Sequence, residues 1–329
     1  MKALVYTAPG QLTFRDEPDP APADGDALLR IEAVGICGSD MHAYHGHDPR
    51  RNPPLILGHE FVGTLVGGSR AGQRVTGNPL IHCGQCDFCV QGRNNLCRNR
   101  GMVGMTRPGA FAEFMAIPER CLISVPQDMP AAAAALTEPA ATALHGVALA
   151  QRALFRPLAE ARALIVGGGA IGLLTALLLR SQGCRVSLAE TNPLRRASAQ
   201  QHAGCTAFDP REAAPEPGAY ELVVDAVGGK LTRAAALAAV QPGGVMLHIG
   251  LQDWASEIDM RRLTLEEITL IGAYTYTSAD LRATVDALHR GVFGDLSWIE
   301  ERELGAGARA FSDLDGGRAA SAKIVLRTH

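Results

Sequence analysis

Cys37 and His59 are a thiol and an imidazole, the pair that a borderline-soft cation such as zinc takes. They lie in a stretch crowded with groups of the same kind. It reads Gly35-Ile36-Cys37-Gly38-Ser39-Asp40-Met41-His42, then a proline-rich loop, then Gly58-His59-Glu60. Asp40 is a short carboxylate of the sort that orients a metal-bound imidazole. Ser39 and His42 bring a hydroxyl and an imidazole two and five positions past Cys37, suited to passing a proton. A Cys and a His so far apart are as often core residues as ligands; the company they keep favours ligands. His45 and His47 are near in sequence and read as solvated loop residues.

Two further motifs carry chemistry. Cys83, Cys86, Cys89 and Cys97 form a C-x2-C-x2-C-x7-C pattern. Four thiolates on one short loop can close a tetrahedron around zinc with no open position, which is a structural site. An iron–sulfur cluster is the other four-thiolate option, and no electron-transfer feature accompanies it. Gly167-Gly168-Gly169-Ala170-Ile171-Gly172 is G-x-G-x-x-G, placed between a buried strand and a helix. A second strand follows and ends at Glu190, twenty-three positions after Gly167. That is a dinucleotide fingerprint: Gly167 for the turn, Gly169 for approach of the pyrophosphate to the helix N-terminus, Gly172 for close packing. Glu190 stands where a carboxylate accepts the adenosine ribose hydroxyls, which favours NAD over NADP. Arg195 and Arg196 on the next helix are the counter-signal, since either could reach a phosphate.

GICGSDMH followed by GHE resembles the catalytic-zinc signature of the zinc-containing medium-chain alcohol dehydrogenases, and the resemblance runs from the first strand to the last. It implies a GroES-like, partly open β-barrel and a Rossmann doubly wound sheet, with two zinc ions per chain. Cys37, His59 and Glu138 match ligand positions of the catalytic zinc; Glu60 either coordinates in place of water or stands behind. Cys83, Cys86, Cys89 and Cys97 match the structural zinc lobe. Ser39 and His42 match the proton relay, with Asp40 beside them. The resemblance also places Ala170, Ile171, Val227, Gly250, Leu251 and Tyr274 with the glycines, Glu190 and Arg195 at the cofactor, and it pairs a basic residue at Arg195 with NAD.

The implied reaction is oxidation of an alcohol to a carbonyl: zinc as Lewis acid lowers the alcohol's pKa, and hydride leaves for the nicotinamide. Glu138 replaces the Cys ligand of the classical alcohol dehydrogenases, as in the polyol and secondary-alcohol branch. Sorbitol members of that branch carry an Arg between two aromatics, where this chain has Tyr274-Thr275-Tyr276. Sorbitol itself is therefore disfavoured. Tyr44, Met102, Met105 and Tyr274 are the pocket candidates. A threonine-type or simple-alcohol dehydrogenase is the alternative enzyme, and a non-catalytic zinc- and nucleotide-binding protein the alternative of another class. The resemblance also suggests a homodimer or homotetramer.

The elements that must position these groups follow from patterning. Lys2–Tyr6, Ala27–Val34, Phe61–Val66 and Arg74–Gly77 read as short strands with glycine turns between, Gly109–Phe114 resembles the family's strand just past the zinc lobe, and Leu122–Val125 continues the barrel. Leu136-Thr137-Glu138-Pro139 opens an apolar helix toward Gln151, where Glu138 could also simply complement the helix dipole. Ala163–Val166, Arg185–Ala189, Glu221–Val224, Val245–Ile249 and a region in Leu265–Ala273 alternate with helices, including Thr232–Val240, Ser278 to Gly291 and one that Asn192 caps and Gly204 ends. This divides the chain into 1–147 with 288–329, and 148–287. The 329 residues suit two domains. Hydrophobic content of 47%, charged content of 20% and a net charge of -3 fit a globular protein with no nucleic-acid or membrane surface. No apolar run reaches spanning length, and Met1–Tyr6 reads as a strand rather than an export signal. With eight Cys and no export signal, metal sites and free thiols are expected over disulfides, in the cytoplasm. Cys121, Cys184 and Cys205 read as small buried hydrophobes.

Overall fold

The computed structural model describes residues 1–328. The N-terminal part is a curved, mainly antiparallel sheet in the order Leu122–Ser124, Arg74–Gly77, Glu60–Val66, Asp26–Gly35, Lys323–Arg327, Ile299–Glu303. Phe114–Pro118 also pairs with the long strand Asp26–Gly35. A smaller sheet packs beside it, with Lys2–Ala8 between Gln11–Asp16 and Leu55–Ile56. Strand residues Leu4, Ile31 and Phe61 close a core with Phe111 from the loop before Phe114–Pro118 and Phe311 from the helix Gly307–Asp315, these last two rings edge to face at 5.8 Å. The strand Lys323–Arg327 brings the chain's end back against Val34 and Gly35, one turn of chain from Cys37.

The second part is a parallel sheet in the order Thr206–Phe208, Arg185–Ala189, Arg162–Val166, Tyr220–Asp225, Val240–His248, Thr269–Gly272. In sequence order this is 3-2-1-4-5-6, the Rossmann arrangement, and its switch point lies between Arg162–Val166 and Tyr220–Asp225. Both faces are covered by helices, so its strands are continuous apolar runs. The helix Thr137–Ala153 contacts the barrel strand Glu60–Val66 and continues to pack on the helices Ala170–Ser181 and Ser278–His289. We propose dividing the chain at 147 and 288; the first division then falls inside a helix that both parts share.

Several local expectations need correction. Gly109–Glu113 is not strand: Gly109, Ala110 and Phe111 donate their N–H groups to the carbonyls of Ile56, Gly58 and Leu57, and the strand begins at Phe114. A Cβ on Gly109 would sit 2.4 Å from the Gly58 oxygen, so only glycine permits that approach. The strand expected from Val245 begins at Val240, and Pro242-Gly243-Gly244 bulges within it: Val240 pairs with Tyr220 and Val245 already with Leu222. Helices begin or end one to two residues from the expected bounds, as at Lys230–Ala239 and Ser278–His289. Gln11–Asp16 escaped notice because all but Leu12 are exposed and the apolar alternation is weak.

Candidate active site

Cys37 caps the short helix Gly38–Tyr44, and the Asp40 carboxylate reaches back to its backbone N–H at 3.1 Å. Asp40 is fully buried, and its other oxygen faces His59 Nδ1 at 3.4 Å and accepts weakly from Gly58 N–H at 3.4 Å. Burial alone would raise this carboxyl; His59, Arg51 and the Cys37 N–H outweigh it and hold it below the usual carboxylate range. The reciprocal effect appears on His59, where burial works downward but Asp40 and Cys37 win and raise the imidazole well above its ordinary value. Asp40 thus fixes both the helix entry and the imidazole plane from one position.

The structure brings Cys37, His59 and Glu60 together, with one donor atom of each within 4.8 Å of the others. Glu60 is buried at the start of its strand, and both its oxygens accept from Lys323 Nζ, at 2.7 and 2.6 Å. Lys323 is itself buried and also donates to the Ile36 carbonyl at 2.7 Å. A Cβ at Gly35 would fall 2.1 Å from a Glu60 oxygen, so that glycine leaves room for the carboxylate. Glu138, second residue of the helix Thr137–Ala153, lies outside the three-residue cluster. Its Oε1 accepts from the hydroxyl of fully buried Tyr276 at 2.8 Å. Burial pushes its carboxyl up to about 7, with His59 working against that and Glu60 adding to it.

This donor set fits a divalent cation. Lys323 is taken by Glu60, and the single imidazole of His59 serves Asp40, Cys37 and Glu138 together, so the site holds more anionic donors than cations to match them. His59 Nδ1 also lacks a well-formed hydrogen bond. One sulfur, one imidazole and nearby carboxylates suit zinc in an open site.

Ser39 Oγ stands 3.4 Å from His59 Nε2 and accepts from Arg51 at 3.3 Å. Arg51, buried, also donates to the Ser39 carbonyl and pairs with Asp48 at 2.7 Å. His42 lies one turn further on, half-buried, and no hydrogen bond joins it to Ser39. Burial, then His47 and His45, lower its pKa. His45 and His47 are exposed, as expected, and His45 Nε2 lies 2.6 Å from Asp315. Tyr44 lies beside Phe311 with the barrel core.

The four-cysteine sulfurs lie 3.5 to 3.9 Å apart along four edges. A tetrahedron with metal–sulfur bonds of about 2.3 Å has edges of about 3.8 Å, so the sulfurs already frame such an ion. Backbone N–H groups of Cys83 and Cys86 point at two of the sulfurs. The backbone N–H groups of Arg98 and Cys89 bring Cys86 down to about 6, whereas burial among neighbouring sulfurs sends Cys89 up to about 12.

At the switch point Gly167 has φ +100, and its Cβ would strike Val227 at 2.5 Å. A Cβ on Gly172 would meet the Gly167 carbonyl at 1.8 Å. Gly169, the N-cap of the helix Ala170–Ser181, has open space around its Cβ position. No neighbour in the chain requires glycine there, so the open cradle at the helix start, with Ala170 and Ile171 next to it, fits an approaching pyrophosphate. Glu190 receives Gly168 N–H and Asn192 N–H, each at 2.7 Å. Arg196 is occupied by the carbonyls of Glu190 and Thr191 and by Asp209, whereas Arg195 Nε is buried with no partner. Gly228 and Gly250 let their two loops touch backbone to backbone, and Leu251 lies exposed on that rim. Tyr274 follows the last strand; its carbonyl accepts from Asn95 at 2.9 Å and Arg100 lies 5.0 Å over its ring.

Sequence reading gave no role to Lys323, Arg51 or Tyr276. Lys323 is 263 positions from Glu60 and Tyr276 is 138 from Glu138, and no local motif links such pairs.

Comparisons with known proteins agree with this geometry. Residues 23–127 match the family described as alcohol dehydrogenase GroES-like domain, and residues 170–290 the one described as zinc-binding dehydrogenase. The chain is 30% identical to L-galactonate-5-dehydrogenase of Escherichia coli K12, covering 92% of this chain and 95% of that one. It is 32% identical to an L-threonine 3-dehydrogenase of Mesorhizobium japonicum, over 83% of each. Among solved structures, a zinc-binding dehydrogenase of Sinorhizobium meliloti bound to NADP superposes with a TM-score of 0.87 at 31% identity, covering 99% and 98% of the two chains. Acetophenone reductase of Geotrichum candidum in complex with NAD gives 0.87 at 27% identity, covering 99% and 96%.

Proposed function

Because the chain belongs to the zinc-containing medium-chain alcohol dehydrogenase family, we propose that it is an NAD-linked dehydrogenase acting at a secondary alcohol carbon of a polyol or polyhydroxy acid. The observation that carries this is the gathering of half-buried Cys37 with buried His59 and Glu60, with Glu138 close enough for its carboxyl to feel both His59 and Glu60. Zinc held by Cys37, His59 and a carboxylate of Glu60 or Glu138 supplies Lewis acidity toward the substrate oxygen. A second zinc lies among the four Cys of the lobe. Asp40 keeps His59 in orientation, and Lys323 neutralises Glu60 so that the site is not overloaded with negative charge. Ser39 and His42 are the relay residues of this reading: the Ser39 hydroxyl would take the alcohol proton, a water would have to bridge to His42 because no hydrogen bond joins the two, and the lowered His42 pKa keeps that imidazole neutral and able to accept. Glu190 favours NAD, although a relative with an NADP complex shows that the fold accepts either cofactor. The chain assembles as a homodimer or homotetramer and works in the cytoplasm.

The galactonate relative, aligned over nearly the whole of both chains, supports a polyhydroxy substrate. The threonine dehydrogenase relative supports an amino-alcohol reading as the second choice. NADH formation is followed with L-galactonate, L-idonate, butane-2,3-diol and L-threonine, alongside zinc content. Turnover highest on the polyhydroxy acids, lost in Cys37→Ser with one zinc retained, is the expected result. Preference for threonine would replace the first reading with the second. One zinc per chain, held by the four Cys, with no NADH from any of them would point to the non-catalytic binding protein.

A further inference from the structure

The four-cysteine lobe touches the cofactor part of the molecule through two side chains. Asn94 and Asn95 sit in the turn just before Cys97, and both are buried. Asn95 Nδ2 donates to the Tyr274 carbonyl at 2.9 Å. Asn94 Oδ1 accepts from Ser278 N–H at 3.1 Å, and its Nδ2 donates to the Ser278 hydroxyl. The two amides therefore hold the backbone on either side of Thr275-Tyr276-Thr277.

What they hold is strained. Thr275 has φ 46, in the left-handed region that a β-branched residue rarely adopts, and its Oγ1 is buried without a partner. Such a conformation persists only when its surroundings over-determine it. The twist directs the next side chain, Tyr276, into the core, where its hydroxyl reaches Glu138 Oε1 at 2.8 Å. Tyr276 has no other hydrogen-bonding duty, and the hydroxyl is Glu138's one hydrogen-bond donor among the described residues.

We infer that Asn94 and Asn95 are positioning residues for the Glu138 carboxylate, acting through the backbone at 274–278 and the Tyr276 hydroxyl. The lobe then does more than hold its own fold: a closed four-thiolate site would keep its last turn rigid, and that turn sets the carboxylate that feels His59 and Glu60. This rests on the proposal that Glu138 belongs to the zinc site of the reaction.

The test uses the zinc-loaded protein and three variants: Asn95→Asp, which keeps the size and loses the donor, Tyr276→Phe, and the two combined. Zinc affinity at the Cys37–His59 site is read by chelator competition, and kcat and KM by NADH formation with the panel alcohol that the parent oxidises fastest. Removing a group that orients a ligand typically lowers metal affinity by about ten- to a hundredfold. Each single variant should therefore weaken zinc at that site about tenfold and lower kcat by a similar factor, with KM within about twofold. The double variant should be no worse than Tyr276→Phe alone, since both act through one contact. Amide hydrogen exchange over 274–278 should quicken in Asn95→Asp and not in Tyr276→Phe. If the aspartate unfolds the lobe, Asn95→Leu is read in the same way. Unchanged zinc affinity in Asn95→Asp, or losses that multiply in the double variant, would overturn the inference. Absence of NADH formation in the parent would count against the proposed reaction, and the affinity cycle would still decide the coupling.

Discussion

Single residues set the cofactor choice and the proton path. Glu190 is nearly buried and already receives two backbone N–H groups at the mouth of the glycine turn. A 2′-phosphate brought to about 4 Å from it would be repelled by about 4 kcal/mol at an effective dielectric near 20. Solvent at the rim reduces this, and half of it still gives about thirtyfold discrimination. Arg196 cannot easily compensate, because Asp209 and two carbonyls hold it; Arg195, with a free Nε, is the residue better placed to do so. Glu190→Ala should therefore narrow the ratio of kcat/KM for NAD over NADP, and equal use of both cofactors by the parent would remove this role from Glu190. His42 belongs to the same scale. Burial and two neighbouring imidazoles lower its pKa, so the neutral, proton-accepting form persists below the ordinary value of about 6.5. The acid limb of the pH profile should then lie below that value, and His42→Ala should remove the limb and slow turnover by about ten- to a few hundredfold. Added imidazole should restore part of the rate; a pH profile identical to the parent's would show that His42 takes no part.

At the level of elements, the lobe Cys83–Cys97 has little apolar content of its own, and Cys83, Cys86 and Cys89 are partly exposed. Its order depends on the sulfur tetrahedron, because a closed metal site contributes folding free energy directly. Cys89→Ser should release one zinc per chain and lower the melting temperature. Metal analysis showing an unchanged zinc count would exclude a structural zinc there. The helix Thr137–Ala153 is the complementary case. It holds Glu138 at its N-terminus by packing on both sheets, with no metal needed for its own stability. Its first turn also favours the carboxylate through the helix dipole, so the dipole reading and the site reading of Glu138 describe one placement.

Across the whole molecule, the closing strand Lys323–Arg327 completes the barrel and delivers a buried ammonium to the centre of the site. Burial works against that charge, but Glu60 first and then Cys37 raise the Lys323 pKa, so it stays protonated at neutral pH. Removing one partner of a buried ion pair leaves the other charge uncompensated, typically at about 3–5 kcal/mol. Lys323→Met should lower unfolding free energy by that order, measured by denaturant titration. A loss below about 1 kcal/mol would mean that Glu60 finds another cation, of which a zinc ion is the nearest choice. No helix among the described residues is long and apolar enough to cross a membrane.

The motifs whose chemistry is local were legible from the chain alone. C-x2-C-x2-C-x7-C brings its sulfurs together because they are covalently close, and the glycine turn with Glu190 works because strand, turn and helix are consecutive. Even the alternation of short strands, then strands with helices, was enough to separate a barrel from a doubly wound sheet. Tertiary structure decided what depends on distant segments meeting. Glu60 is tied to Lys323, Glu138 to Tyr276, and Ser39 to Arg51, partners that no local motif names. It also decided that Gly109–Glu113 keeps only an isolated bridge of Ala112 to Ala3 and otherwise braces the turn before His59. Sequence fixes which groups a segment offers; a buried charge takes whichever partner the closed core places within reach, and that choice is made only when the last strand folds back onto the first.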